Sequence, residues 1–166
     1  MKGILSRIND AAVHKFGAEY AETRAQNLSK TMLTLKEGRV EAAKQGIENG
    51  VALRVLVNGA WGFASVGSLS DNALISAVSD ACKMAKAASA RLKTPIKLAE
   101  TKTVEDRVQV KPKKNPSEIP MEDKIKTASS INNTTLGYDR RIKSCTIDYL
   151  DLTGTSYFAN SEGACI

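Results

Sequence analysis

Histidine is nearly absent from this chain. His14 is the only one among 166 residues, so a site that needs two or three imidazole ligands cannot be built from this polypeptide alone. That excludes most zinc-hydrolase chemistry within these residues. Cysteine is also scarce: Cys82, Cys145 and Cys165 are odd in number, far apart and without a C-x-x-C pair, which argues against a disulfide scaffold or a zinc knuckle and for a reducing, cytoplasmic setting. No apolar run nears the roughly 20 residues that cross a bilayer, and the N-terminus has no secretory apolar region. The basic amphipathic start, Met1 to Lys15, imitates a transit peptide, but Asp10 and the immediate continuation into a domain pattern favour a surface helix.

Catalytic motifs are missing too. There is no G-x-x-x-x-G-K-[ST] phosphate loop and no G-x-S-x-G serine elbow. The glycines between Gly59 and Gly67 sit between and inside strand candidates, where tight hairpins explain them better than phosphate binding does. The neighbouring acids Glu105-Asp106 and Glu122-Asp123 point their side chains in different directions, which suits surface charge rather than paired acid–base work.

What is present has a globular composition, with 42% hydrophobic and 25% charged residues. The length suits one domain, or one domain with an appended piece. The net charge of +6 is concentrated: Arg91 to Ser117 holds eight basic residues against three acids. That stretch also carries Pro95, Pro112 and Pro116 and no aromatic residue. It reads as an extended connection with solvated charges rather than a nucleic-acid surface, which would want aromatic platforms for the bases. A stand-alone basic nucleic-acid module, or a protein-interaction module with an exposed strand edge, remains the alternative reading of the whole chain.

Periodicity supplies the elements. Ile4, Leu5, Ile8, Ala12 and Phe16 recur at helical spacing, predicting a helix over 3–16 with His14 on its polar face. Strand candidates follow at 18–27, 29–36, 39–47, 51–57 and 60–66, with turns predicted at Glu37-Gly38, Asn49-Gly50 and Asn58-Gly59. Val51, Leu53, Val55 and Val57 alternate with Ala52, Arg54, Leu56 and Asn58, so one sheet face is apolar and must be covered. The cover is a long helix from Ser70, an N-cap, to about Leu92, with Leu74, Ile75, Val78, Ala81, Cys82, Ala85 and Ala88 inward. Cys82 in that stripe reads as a small buried hydrophobe. Pro120 opens a third helix that presents Met121, Ile125, Ala128 and Ile131 inward and fades near Asn132-Asn133. Strands are expected again at 141–150 and 155–161, separated by a turn over Asp151 to Gly154. The fold class is therefore α+β: an antiparallel meander packed against a long amphipathic helix, with two flanking helices and late C-terminal strands. The division expected is 1–92 for the first helix, meander and long helix, 93–119 for the basic connection, and 120–166 for a helix and strands that complete the domain.

The strings Tyr20-Ala21-Glu22-Thr23-Arg24, Glu37-Gly38, Gly50-Val51-Ala52-Leu53-Arg54-Val55 and Asn58-Gly59-Ala60-Trp61-Gly62-Phe63-Ala64-Ser65 precede an alanine-rich helix. Together with Tyr157-Phe158-Ala159-Asn160-Ser161-Glu162-Gly163, their order resembles the N-terminal domain of the TldD/PmbA family. The resemblance implies a parent that is a zinc metallopeptidase of the kind once called a modulator of DNA gyrase, acting on unfolded or extended peptides as a homodimer or heterodimer. In that family the zinc belongs to a C-terminal domain with an H-E-x-x-x-H helix. No such motif occurs here, so no catalytic residue, metal ligand or cofactor is assigned to this chain, and it is expected to be inactive alone, truncated before its catalytic domain. The partners implied are that C-terminal domain, a dimer mate and a peptide; neither nucleic acid nor membrane is implied. Arg54, Trp61 and Asn160 become candidates for a substrate-binding or interface role, while Arg54 as a sheet-surface charge and Trp61 as a core aromatic remain the plainer readings.

Overall fold

The computed structural model describes residues 2–166 and has the order α1 (Lys2–His14), β1 (Tyr20–Lys36), β2 (Arg39–Val57), β3 (Ala60–Val66), α2 (Asp71–Ser89), α3 (Met121–Tyr138) and β4 (Thr146–Asn160). A short 3-10 turn at Pro116–Glu118 precedes α3. The strands form one four-stranded sheet in the order β3-β2-β1-β4. The late strand thus joins the first sheet. The class is α+β, as the periodicity predicts.

The chain divides into two compact units. The first comprises the residues up to Asn27, Asn49–Gln109 and Thr155–Ile166; the second comprises Leu28–Glu48 and Val110–Gly154.

In the first unit, β2 and β3 pair antiparallel from Val51↔Val66 to Val57↔Ala60. Asn58 and Gly59 close the hairpin with φ of 51° and 71°, the paired positive angles that a two-residue turn of the right twist needs. Val51, Leu53, Val55 and Val57 are buried with Ala21 and Ala25 of β1, beneath Leu5, Ile8 and Ala12 of α1 and Leu74, Ala77, Val78, Ala81, Cys82 and Ala85 of α2. Helix α2 starts where its cap is: the Ser70 hydroxyl accepts from the Ala73 N–H at 3.4 Å. The Cys82 thiol lies in this core, and burial pushes its pKa up despite the opposing pull of Lys86. It packs as a small apolar residue.

Gly62 sets how closely α2 approaches. A Cβ on it would lie 1.9 Å from the Ala81 carbonyl oxygen and 3.1 Å from the Ala85 Cβ. The glycine in this stretch that hairpin geometry explains is therefore Gly59, whereas Gly62 answers to helix–sheet contact. The basic connection, whose charged side chains are exposed, is tied to this unit by its backbone. Pro95 packs on Gly59, and the Ile96 N–H donates to the Gly59 carbonyl at 2.9 Å.

In the second unit, Glu37 and Gly38 form the other two-residue hairpin turn, with φ of 50° and 78°. Its apolar core is small: Leu33, Leu35 and Ala128, with Ile125, Ile147 and Tyr149 against them. An ion pair supplements it. Lys124 Nζ lies 2.8 Å from Asp151 Oδ2, with side-chain exposures of 2% and 9%, and donates to Thr31 Oγ1 at 3.2 Å. The Tyr149 hydroxyl donates to the same carboxylate at 2.7 Å.

Several local readings change. Asn49-Gly50 and Asp151 to Gly154 are strand, not turn, and the first five strand candidates condense into three. Gly50 keeps ordinary φ, and its missing side chain admits the Val66 carbonyl, which a Cβ would meet at 3.1 Å. At 151–154 the polar residues obey a period of two: Asp151 turns in to Lys124 while Leu152 is exposed. Helix α3 runs on to Tyr138, and its buried stripe is Lys124, Ala128 and Asn132. Ile131 is exposed, because the charge of Lys124 rather than the apolar count sets the helix rotation.

Two outcomes are expected. Gly62→Ala should cost about 2–4 kcal/mol in denaturant unfolding, since backbone rather than a flexible side chain must yield. Lys124→Met should cost about 3–5 kcal/mol by stranding the Asp151 carboxylate, with much of that recovered in Lys124→Met/Asp151→Leu. Burial raises the Asp151 pKa, but hydrogen bonds from Lys124 and Tyr149 outweigh it and hold the carboxyl below its ordinary 3.8. Its contribution is present above pH 3.8 and is lost as pH falls through the lowered value. Burial and the Asp151 carboxylate push Tyr149 from 10.0 up to about 12, so its contribution is lost as pH rises across that interval. Unfolding curves that keep this pH dependence in Asp151→Leu would contradict the assignment.

Candidate functional site

The sheet face of the first unit opposite α1 and α2 gathers the functional candidates. Strand alternation does the sorting. Ala21, Thr23 and Ala25 of β1 turn toward the helices, where the Thr23 hydroxyl donates to Asn9 Oδ1 at 2.6 Å. Tyr20, Glu22 and Arg24 therefore share the other face. On β2 the same logic exposes Arg54 opposite Phe63 of β3, with Trp61 two residues along on the diagonal. On β4 it presents Phe158 and Asn160.

These side chains interlock. The Arg54 guanidinium stacks over the Trp61 ring with its carbon 4.2 Å from the centroid. It also pairs with Glu22 Oε1 at 3.1 Å. Tyr20 donates its hydroxyl to Glu22 Oε2 at 2.8 Å and meets Trp61 edge to face, with centroids 6.0 Å apart. Burial raises the Tyr20 pKa; the Asn160 hydrogen bond pulls it back and Glu22 adds to the rise. Asn160 Nδ2 donates to the Tyr20 hydroxyl at 3.5 Å, and its Oδ1 accepts from the Glu162 and Ala164 N–H groups at 3.1 and 2.8 Å. Arg24 completes the group, 3.8 Å from Glu22 and stacked at 4.7 Å over Phe158.

Arg54, Trp61 and Asn160, three candidates from separate strings, thus meet through Tyr20 and Glu22. The sequence offers those two linkers only as part of a string. The signal that could have found them is the alternation of Tyr20, Glu22 and Arg24 against a strand whose Arg54 faces the same way. Glu22 is 8% exposed, whereas Phe63 is 54% exposed. The result is a fixed, partly open shelf of two guanidiniums and four aromatic rings around one buried carboxylate.

Among the described residues no three His, Cys, Asp or Glu side chains come together to hold a metal ion. His14 is exposed at the end of α1, and Cys82 and Cys145 are buried in different units. This donor set does not fit a zinc site. No helix among the described residues is long and apolar enough to cross a membrane.

Residues 21–85 match the family model for PmbA/TldA metallopeptidase domain 1. Over that stretch the chain is similar to the first domain of the PmbA/TldD family. A metalloprotease of Methanocaldococcus jannaschii is 32% identical over 147 residues, covering 88% of this chain and 32% of the relative. A metalloprotease of Methanothermobacter thermautotrophicus is 30% identical over 151 residues, covering 89% and 31%. The chain thus spans about a third of the length of these relatives. In the fold, it superposes on a Bacteroides thetaiotaomicron structure described as a modulator of DNA gyrase, with TM-score 0.67, 22% identity, and coverage of 99% of this chain and 37% of that one. TldE from Thermococcus kodakarensis gives TM-score 0.67 at 15% identity over 98% of this chain and 36% of its own. The family match begins at Ala21, one residue into β1, and takes in Glu22, Arg54 and Trp61.

Trp61 is the sole tryptophan, so tryptophan fluorescence reports on the shelf alone. Arg54→Ala should shift its emission to the red and lower the unfolding free energy by about 1–3 kcal/mol, since it removes both the cation–π contact and a partner of the buried Glu22 carboxylate. Unchanged emission would show that the guanidinium does not rest on the ring.

Proposed function

We propose that this chain is the non-catalytic first domain of a longer PmbA/TldD-type metallopeptidase that acts on unfolded or extended peptides. Its part is to help form the dimer and to wall the cavity through which a peptide reaches a zinc site in the C-terminal domain. The metalloprotease names of the relatives and their threefold greater length support a parent of that kind. The observation that carries the domain's own role is the shelf. Arg and large aromatic side chains are enriched where protein surfaces bind one another, and they bind best when already held in place. Here Arg54 and Trp61 are held by Glu22 and Tyr20 before any partner arrives. A surface charge with no further role would need neither the stacking nor the buried carboxylate beneath it.

The longer form of the protein, read through its own frame, tests this. Arg54→Ala and Phe63→Ala should weaken assembly in sedimentation, or raise KM for an unstructured peptide, by about tenfold or more, the scale of an interface anchor. Both variants should still unfold in one cooperative thermal transition. Unaltered assembly together with unaltered KM in both variants would remove the shelf from either role.

A further inference from the structure

A short strand at the end of this chain lies between two others. The Phe158 and Ile166 backbones exchange both hydrogen bonds at 2.9 Å, and the Asn160 N–H donates to the Ala164 carbonyl at 3.0 Å. Ala164–Ile166 therefore runs antiparallel to the end of β4. On its other side Cys165 bridges Glu105 in parallel: the Cys165 N–H donates to the Val104 carbonyl at 3.0 Å, and the Asp106 N–H to the Cys165 carbonyl at 3.1 Å. Thr103 fastens the arrangement by donating its hydroxyl to the Glu162 carbonyl at 3.0 Å, and Lys2 Nζ donates to the Asp106 carbonyl at 3.3 Å. The basic connection is thus part of a sheet at Val104–Asp106.

Both registers can be carried forward. Alternation in the antiparallel ladder makes Ser156 the next residue of β4 to exchange both backbone bonds, with the second residue after Ile166. The parallel ladder brings the Val108 N–H to the carbonyl of the first residue after Ile166. Directly paired residues share a face, so Phe158, Ile166, Val104 and Val108 fall on one side. Val104, Val108 and Ile166 are 48%, 73% and 38% exposed. Unburied valines of an extended segment, aligned beside this short strand, are surface that a further strand would cover.

We propose that residues following Ile166 in the longer chain continue as a strand between Thr155–Tyr157 of β4 and Arg107–Gln109, so that the connection to the rest of the protein leaves this domain as an inner strand rather than a loose linker. The occupant is the chain's own continuation, because both registers already run to Ile166 and the relatives are three times as long. The proposal rests on reading this chain as the first domain of a longer one.

Amide exchange by NMR, compared between the 166-residue chain and the form extended through its own frame, tests it. The Ser156 and Val108 amides should slow by about 100-fold or more in the extended form, as strand pairing slows exchange. The Arg107 amide, which points away in this register, should stay fast. Fast exchange at Ser156 and Val108 in an extended form that assembles or cleaves peptides overturns the strand alone. A stop codon directly after Ile166 overturns both this inference and the proposed function. Slowing that appears in the 166-residue chain only as its concentration rises gives the position to a second copy and also overturns the proposal.

Discussion

The period-two alternation of β1 governs the first unit. One strand must satisfy two environments, because helices cover one face of the sheet and leave the other free. Ala21, Thr23 and Ala25 are small enough to let α1 and α2 close over them. Tyr20, Glu22 and Arg24 necessarily face the other way. A slip of one residue would bury a carboxylate beneath the helices and expel the alanines, so core and shelf specify the same register. Gly62 plays the matching part on β3, where the absence of a side chain sets the depth of α2.

The second unit solves a different problem. With an apolar core of Leu33, Leu35 and Ala128, it has little hydrophobic area to hold α3. Lys124, Asp151, Tyr149 and Thr31 provide a directional substitute. Buried ion pairs contribute little net stability, yet they penalise every arrangement that leaves one partner unpaired. That explains why α3 turns Lys124 inward and leaves Ile131 exposed, against the order of hydrophobicity.

Among the described residues no three His, Cys, Asp or Glu side chains come together to hold a metal ion. What the domain offers is geometry: stacked guanidiniums and aromatic rings fixed by hydrogen bonds to one carboxylate.

Much of this was legible in the residues. Strand alternation, the Asn58-Gly59 and Glu37-Gly38 turns and the Ser70 cap depend on local chemistry, so they appear where the sequence places them. Arg54, Trp61 and Asn160 were recognisable as residues of interest, but their meeting was not, because Tyr20 and Asn160 lie 140 residues apart and only sheet pairing brings them together. The same holds for Asn49-Gly50 and Asp151 to Gly154, which have turn composition and strand geometry. A turn signal states what the backbone tolerates. Whether the chain turns depends on what pairs with it, and here Val66 beside Gly50 and Lys124 beside Asp151 keep the strands straight. Local propensity is a matter of about 1 kcal/mol per residue, and tertiary pairing outweighs it wherever a buried partner is waiting.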